Sequence, residues 1–134
     1  MAKESGIAMS IAVDDSGGSA RTISNDITDW SFSTPRGVQD ITGLDKSAHE
    51  TLQLLADFTI TLNGVFDDGS NLAHAVFSTV SSSSVARTTT ITISGQSLPN
   101  EVFYTDYALS RAASGELTWS TPGVLAGGVV PTWA

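Results

Sequence analysis

The feature that most constrains the fold of this chain is an alternation of apolar and polar residues with a period of two. In DFTITLN (57–63), Phe58, Ile60 and Leu62 alternate with threonine and asparagine. Successive side chains of a β-strand point to opposite faces, so this alternation predicts a strand with one buried and one polar face. The pattern recurs in IAMSIAV (7–13), RTTTITIS (87–94) and ELTWS (116–120), and less regularly in DITDWSFS (26–33) and EVFYTDYALS (101–110).

The alternation also predicts which residues face the core. The apolar residues that recur at every second position in these segments are Ile7, Met9, Ile11, Val13, Trp30, Phe32, Ile91, Ile93, Leu117 and Trp119. The opposite positions are rich in threonine, which suits a pleated surface that is not fully buried.

Turn-forming residues separate the predicted strands. The clusters DDSGGS (14–19), FDDGSN (66–71) and SGQSLPN (94–100) combine Asp, Asn, Gly, Ser and Pro, each of which favours a turn for its own backbone reason. The acidic pairs Asp14–Asp15 and Asp67–Asp68 are therefore interpreted as turn formers. FDDGSN lacks the alternating spacing and the later glutamate of a calcium loop.

One segment, SNLAHAVFSTV (70–80), has helical spacing. Leu72, Val76 and Val80 are four residues apart, and Ala73 and Phe77 lie on the same side. We expect Asp68 or Ser70 to cap the helix and its apolar stripe to pack on a sheet.

These elements predict a single domain of all-β class with one flanking helix. The 134 residues contain neither an internal repeat nor a dividing linker. We expect an antiparallel β-sandwich or barrel of about seven strands, with the helix packed outside. Residues 1–25 form an N-terminal strand or arm in this scheme, and residues 34–56 form a long loop or arm.

The long connection is unusual for a small domain. VQDITGLDKSAHETL (38–52) is polar and has neither strand nor helix periodicity. Loops longer than about 12–15 residues are usually functional or disordered. The sequence therefore predicts a projecting arm with a specific task.

Charge and cysteine content exclude several classes of function. The net charge of −8, from 14 acidic and 6 scattered basic residues, argues against tight wrapping of nucleic acid. The chain has no cysteine, which excludes disulfides, thiolate nucleophiles and cysteine-ligated zinc. The first residues offer one cation, Lys3, and no sustained apolar run, so we expect neither a signal peptide nor membrane insertion.

No constellation of catalytic or metal-binding residues is present in the sequence. The motifs of serine hydrolases, phosphate-binding loops, dinucleotide-binding folds and zinc proteases are all missing. We therefore expect no enzyme activity, no metal and no cofactor. His49, in the arm, and His74, on the polar side of the helix, are assigned surface or interface roles.

The three tryptophans divide into two groups. Trp30 and Trp119 are each in step with another apolar residue and are expected in the core. Trp133, next to the last residue, is a candidate for an interface, because a terminal tryptophan not buried in its own chain is often buried against a partner.

The order of these segments resembles that of the tail tube (major tail) proteins of long-tailed bacteriophages. The resemblance covers residues 26–134 and rests on DITGL (40–44) in the arm, ADFTITLNGVFDD (56–68) and the closing GVVPTW (128–133). The chain departs from the family in being short, in lacking an appended immunoglobulin-like domain and in its first 25 residues, which match nothing in the pattern.

The resemblance implies a β-sandwich or barrel subunit that forms hexameric rings, whose inner sheets join into one barrel. Rings would stack into a tube around a tape measure protein, end at tail terminator and distal tail proteins, and later let DNA pass without specific binding. The location would be the virion tail, assembled in the host bacterial cytoplasm. The arm would reach a neighbouring subunit or ring through Val38, Asp40, Ile41, Gly43, Leu44, Asp45, Lys46, His49 and Glu50.

Two further assignments follow from the implied tube. The candidate residues for the lumen are Asp57, Asn63, Asp106 and Glu116, which lie on strands or at their ends. An excess of acid there would keep DNA phosphates from adhering.

Other functions remain open at this point. A tail terminator or distal tail ring would form one ring and stop, and the inner tube of a contractile injection system would share the fold. A carbohydrate- or receptor-binding β-sandwich would instead need an exposed aromatic platform and would stay monomeric.

Overall fold

A computed structural model describes residues 8–134 of the chain. Within this range the chain forms ten strands, one short α-helix and a 3-10 turn at Ser24–Asp26. The strands are β1 (Ser10–Asp14), β2 (Ala20–Thr22), β3 (Ile27–Ser33), β4 (Arg36–Asp40), β5 (Thr51–Ala56), β6 (Thr59–Val65), β7 (Arg87–Ile93), β8 (Gln96–Tyr104), β9 (Ala108–Arg111) and β10 (Leu117–Leu125). The helix is α1 (Ala73–Phe77). The all-β class with one helix is confirmed.

Eight strands form one antiparallel sheet in the order β2-β1-β7-β8-β10-β6-β3. The eighth strand, β9, pairs with the first half of β10, and β8 pairs with the last residues of β10 along the same edge. The remaining strands, β4 and β5, form a separate two-stranded hairpin between β3 and β6. The sequence predicts about seven strands because it does not reveal this hairpin, the return strand β2 or the break between β8 and β9.

The alternation of the strands builds a single core. The fully or nearly fully buried apolar residues are Ile11, Val13, Ile23, Phe58, Ile60, Leu62, Ala73, Val76, Phe77, Ile91, Leu98, Val102 and Trp119. Met9, Ile93, Trp30 and Phe32 pack against this cluster and are half-buried, so Trp30 is less enclosed than the sequence predicts. Leu117 is more exposed still, and Ile7 lies outside the described residues.

Helix α1 packs into the core and is shorter than the sequence predicts. It has five residues, and three of them, Ala73, Val76 and Phe77, are fully buried. The Phe77 ring lies 5.2 Å from Tyr104 and 5.4 Å from Trp119, centroid to centroid. The helix is therefore an integral part of the core, and a lone helix this short depends on such packing.

The cap of α1 differs from the expected one. Leu72 occupies the N-cap position without a side-chain hydrogen bond, so neither Asp68 nor Ser70 caps the helix. Instead, the amide of Ala73 donates to the carboxylate of Asp26, at 3.1 Å. Sequence patterns report local caps only, and this cap comes from a residue 47 positions away.

A buried arginine fixes the other end of the helix. The guanidinium of Arg87 donates to the carbonyl oxygens of Val76 (2.8 Å) and Asp14 (3.1 Å) and to the hydroxyl of Thr79 (2.8 Å). Burial lowers the pKa of Arg87 below its ordinary value. The arginine joins α1, β1 and β7 through neutral oxygens.

Two turns confirm the sequence interpretation and one corrects it. The carboxylate of Asp15 accepts from the amides of Gly17 and Ser19, and that of Asp67 accepts from Gly69, so both acids stabilise turns. The expected turn over 94–100 is wrong, because only Ser94 and Gly95 form it, both with positive φ as a two-residue hairpin requires.

The remainder of that segment belongs to β8, although it contains a proline. Pro99 lies opposite Thr90 within the β7–β8 ladder. Ser97, two residues earlier, exchanges hydrogen bonds with the terminal Ala134 on the other edge of the strand. Pro99 is two residues from Ser97, so its backbone nitrogen points to the same edge of β8, away from β7. The proline therefore costs no ladder hydrogen bond, because β10 pairs with that edge only from Val102 onward.

Candidate assembly surfaces

The arm is a hairpin, not an irregular loop. Strands β4 and β5 pair from Arg36–Ala56 at the base to Asp40–Thr51 near the tip, and all their residues except Ala56 are exposed. Leu55 is 91% exposed and Val38 is 62% exposed. The arm escaped prediction as a hairpin because neither strand buries a face, so no alternation was selected in the sequence.

Side chains at the tip of the arm hold it in a defined shape. The amide and hydroxyl of Thr42 donate to the carboxylate of Asp40, and the amide of Glu50 donates to the Thr42 hydroxyl at 2.8 Å. The Nδ1 atom of His49 lies 3.6 Å from the other Asp40 oxygen. The hydrogen bonds from Thr42, with a smaller contribution from His49, lower the pKa of Asp40.

The rest of the tip projects into solvent. The amide of Ile41 donates to the carbonyl of Glu50 and that of Lys46 donates to Gly43, which closes the loop. Leu44 is fully exposed at its apex, and Asp45 and Lys46 are exposed beside it. The structure thus places all nine arm candidates on one hairpin, with Val38 within strand β4 and the other eight at or near the tip.

A groove lies at the other end of the arm. Its volume is about 760 Å³, and we call it the base groove; it is lined by Arg36, Gly37, Gln53, Leu54, Leu55, Ala56 and Val130. The guanidinium of Arg36 donates twice to the carbonyl of Leu54, at 2.9 and 2.7 Å, which stiffens the base. Sequence reasoning missed Val130 as part of this surface; the apolar pair Val129–Val130 within a polar tail was the available signal.

The sheet presents a polar outer face on its four strands β3, β6, β10 and β9. We call this the polar sheet face. By strand register, the residues that point away from the core there are Asp29, Ser31, Ser33, Thr59, Thr61, Asn63, Val65, Ala108, Ser110, Thr118, Ser120, Pro122 and Val124. Hydroxyl groups dominate this face, which carries a single carboxylate.

The four lumen candidates are not brought together. Asn63 lies within the polar sheet face, and its amide donates to the carboxylate of Asp29 at 2.7 Å. Asp57 lies at the base of the arm, where its carboxylate accepts from the amide of Phe58. Asp106 lies in the link between β8 and β9, and Glu116 lies in the turn before β10, so those two are on connections.

Both outer edges of these four strands are free. Neither β3 nor β9 has a second strand partner among residues 8–134. At the β9 edge, Leu109 shares the core-facing side with Trp119 yet is 47% exposed. At the β3 edge, Trp30 and Phe32 are half-buried and stacked with ring centroids 5.1 Å apart. Each edge therefore offers unpaired backbone flanked by apolar surface.

The C-terminal segment contacts two strands of the sheet, β8 and β3. Ala134 exchanges two backbone hydrogen bonds with Ser97 of β8, at 2.8 and 3.0 Å. The ring of the preceding Trp133 lies 6.1 Å from Phe32 of β3 and remains 44% exposed. The Trp133 side chain is thus only partly buried by its own chain.

Histidine 74 lies in an aromatic cluster, not on an open polar side of the helix. Its ring is 4.8 Å from Phe66 and 5.8 Å from Tyr107, and its Nδ1 atom is 3.2 Å from the Tyr107 hydroxyl.

Within residues 8–134, no group of three or more His, Cys, Asp or Glu side chains could hold a metal ion. No helix in the described part of the chain is long and apolar enough to cross a bilayer.

Solved structures similar to this chain include chains of gene transfer agent particles and of a prophage baseplate. A chain in the virion of a native gene transfer agent particle is similar with a TM-score of 0.80 at 17% identity, over 97% of this chain and 99% of that one. A chain in the tail of an empty gene transfer agent particle of C6 symmetry gives 0.81 at 16% identity, over 98% of each. A chain in the six-fold symmetrised baseplate of the anti-feeding prophage gives 0.67 at 9% identity, over 100% of this chain and 97% of that one.

These likenesses establish the fold along nearly the whole chain. No protein-family model matches the sequence, and no curated protein matches it.

Proposed function

We propose that this protein is a structural subunit of a phage-type tail tube. Copies would form hexameric rings that stack into a conduit for DNA, in the virion tail, after assembly in the host bacterial cytoplasm. The observation that carries the proposal is the near full-length likeness to a chain from a C6-symmetric tail, with a TM-score of 0.81 and 98% of both chains covered. No enzymatic activity is part of this function.

The free edges of β3 and β9 support ring formation. An exposed strand edge invites pairing with another chain, and a closed ring of identical subunits removes every such edge. Pairing β3 of one subunit with β9 of the next would also bring Trp30 and Phe32 beside the exposed Leu109. Backbone and side chains then favour the same seam.

The polar sheet face would line the lumen of the resulting barrel. It bears one carboxylate, Asp29, which is already paired with Asn63, and no lysine or arginine. A surface without cations has little attraction for phosphates, so DNA would slide past without specific binding. The tape measure protein would occupy the same space before DNA does.

Two of the acidic lumen candidates would then mark the rims and not the wall. Asp57 precedes β6, and Glu116 precedes β10, which runs antiparallel to β6, so the two carboxylates lie at opposite ends of the sheet. Asp106 lies on the link between β8 and β9, beside the middle of β10. Asp57 and Glu116 would repel DNA phosphates from the two ring entrances.

The arm would connect subunits beyond the seam. Its exposed apolar residues, Leu44 above all, are too many for a hairpin that stays in water, and exposed apolar patches commonly mark interaction sites. Trp133 is a second contact of this kind. Tail terminator and distal tail proteins would meet the same surfaces at the two ends of the tube.

A ring that does not stack is the second candidate function. The likeness to a chain of the anti-feeding prophage baseplate favours it, as a terminator or distal tail ring. The inner tube of a contractile injection system would share the fold but would stack. The baseplate chain's TM-score of 0.67 is lower than the 0.81 of the tail chain, which is why the tube is preferred. A glycan-binding role has less support, since no exposed aromatic row is present among the described residues.

Negative-stain electron microscopy of the concentrated protein, with light scattering for mass, tests the proposal. Hollow tubes with a hexameric cross-section are expected. Rings that never stack would favour a terminator or baseplate role. A monomer at every concentration, even with a tail initiator complex added, would overturn both.

A further inference from the structure

The base groove is an apolar surface with one cation at its side. Leu54, Leu55 and Val130 supply the apolar lining, and Arg36 is the only charged residue that lines it. The volume of about 760 Å³ exceeds what one side chain fills, and the lining side chains other than Ala56 are exposed. A surface of this kind is suited to an apolar anchor with acidic neighbours.

The arm tip has the complementary composition. Leu44 is a fully exposed apolar side chain at the apex. Three carboxylates, those of Asp40, Asp45 and Glu50, lie within six residues of it in the chain, against one lysine, Lys46. The tip is shaped in advance by hydrogen bonds between Asp40, Thr42 and Glu50, so little ordering is needed when it binds.

We propose that the base groove of one copy receives the arm tip of a second copy, with Leu44 inserted between Leu54 and Val130. The carboxylates of the tip would then lie near the guanidinium of Arg36. This inference rests on the proposed tube, since it assigns the receiving surface of the connecting arm.

The tip cannot occupy the groove of its own chain. The two sites lie at opposite ends of one paired hairpin, from Arg36–Ala56 to Asp40–Thr51. Four residues of strand separate them by roughly 13 Å, since a strand rises about 3.3 Å per residue. The ladder holds the two ends apart.

A contact between the tip of one copy and the base of another has a further consequence. It joins two different surfaces, so each bound copy still offers a free tip or a free groove. Such head-to-tail contacts propagate until a ring closes or a filament grows. Where no ring closes, the contact would add copies without limit, as stacking requires.

Cysteine cross-linking tests the contact directly, because the native chain has no cysteine. Leu44→Cys and Val130→Cys are made as separate proteins, mixed in equal amounts and treated with a short bifunctional maleimide. Only contacts between chains can give the mixed dimer. We expect several-fold more cross-linked dimer from this mixture than from either variant alone.

Val65→Cys is the matched control for Val130→Cys. It is also an exposed valine, but it lies at the end of β6 farthest from the arm, opposite Thr118 of β10. Equal cross-linking of Leu44→Cys with either valine position would overturn the proposal. So would the absence of the mixed dimer under conditions that give tubes.

Microscopy of the same samples separates this inference from the proposed function. Tubes without the mixed dimer would leave the tube role intact and refute the assigned groove. The mixed dimer without tubes or rings would support the groove and refute the tube role. If both are absent, both proposals fail.

Discussion

At the scale of single residues, the clearest pH-dependent group is Asp26. Burial raises the pKa of this carboxyl above its ordinary value of 3.8, and a hydrogen bond with Asp67 raises it further. The folded state therefore prefers the protonated acid. The stability from this preference is complete below the ordinary pKa and is lost as the pH rises through the raised folded value.

Asp26→Asn is accordingly expected to stabilise the protein at neutral pH. The amide keeps an oxygen to accept from the Ala73 amide, and its NH₂ group can donate to Asp67 as the protonated acid does. We expect Tm at pH 7 to rise by a few degrees, and the gain to vanish below about pH 4. Thermal unfolding across this pH range measures it.

Asp15→Asn is the control with the opposite sign. Hydrogen bonds from Ser19 and the side chain of Arg21 lower the pKa of Asp15, so its contribution is present at neutral pH and is lost as the pH falls through the lowered value. This variant should lower Tm slightly at pH 7. A gain for Asp15→Asn, or a loss for Asp26→Asn, would contradict the assignment.

A second residue-scale prediction concerns the contact between β6 and the Asp26 backbone. A Cβ atom at Gly64 would lie 1.9 Å from the carbonyl oxygen of Asp26 and 2.7 Å from the Trp119 ring. Gly64→Ala must therefore shift backbone, and we expect a loss of about 3 kcal/mol in the free energy of unfolding. In Gly17→Ala the nearest atom would be 3.4 Å away, so urea midpoints should separate the two variants.

At the scale of elements, alternation in the sequence predicts the strands that bury one of their two faces. Strands β1, β6, β7 and β10 each line the core with alternate residues, and their alternation identified them. The β4–β5 hairpin buries nothing, so the rule that finds strands had nothing to detect. The position and polarity of residues 38–52 nevertheless indicated a projecting arm. Its hairpin structure and the proposed receiving groove could be recognised only in the three-dimensional structure.

The predicted N-cap of α1 was wrong for a different reason. Local spacing pointed to Asp68 or Ser70, whereas tertiary folding brings Asp26 to the amide of Ala73. Distant contacts of this kind leave no local signature. The same holds for Arg87, which reads in sequence as an ordinary strand-end cation and is almost fully buried.

Deletion of Gly43–Ala48 tests the arm as an element. The deletion leaves Thr42 and His49 to close the hairpin, and it removes no core residue. We expect Tm to stay within a few degrees of the native value and stacked tubes to disappear, because the exposed tip is lost. Long tubes from the deletion variant, seen by microscopy at the same protein concentration, would show that the arm is not the connector.

At the scale of the whole molecule, three kinds of surface are available for contacts with other copies. The free edges of β3 and β9 continue the sheet, the polar sheet face covers its outer side, and the arm with the base groove projects between β3 and β6. The edges would build rings and the arm would link further copies. These two contacts are separable, which allows ring formation to be tested on its own.

Leu109→Glu is the test of ring formation. Leu109 is 47% exposed on edge strand β9, so a carboxylate there can remain hydrated in the monomer and should cost little folding stability. In a ring, the same carboxylate would be desolvated against Trp30 and Phe32 of the neighbouring β3 edge without a partner charge. We expect the variant to remain monomeric by light scattering while its Tm stays near that of the native protein. Val85→Glu, an exposed valine outside every strand, should assemble normally, and rings from Leu109→Glu would place the seam elsewhere on the molecule.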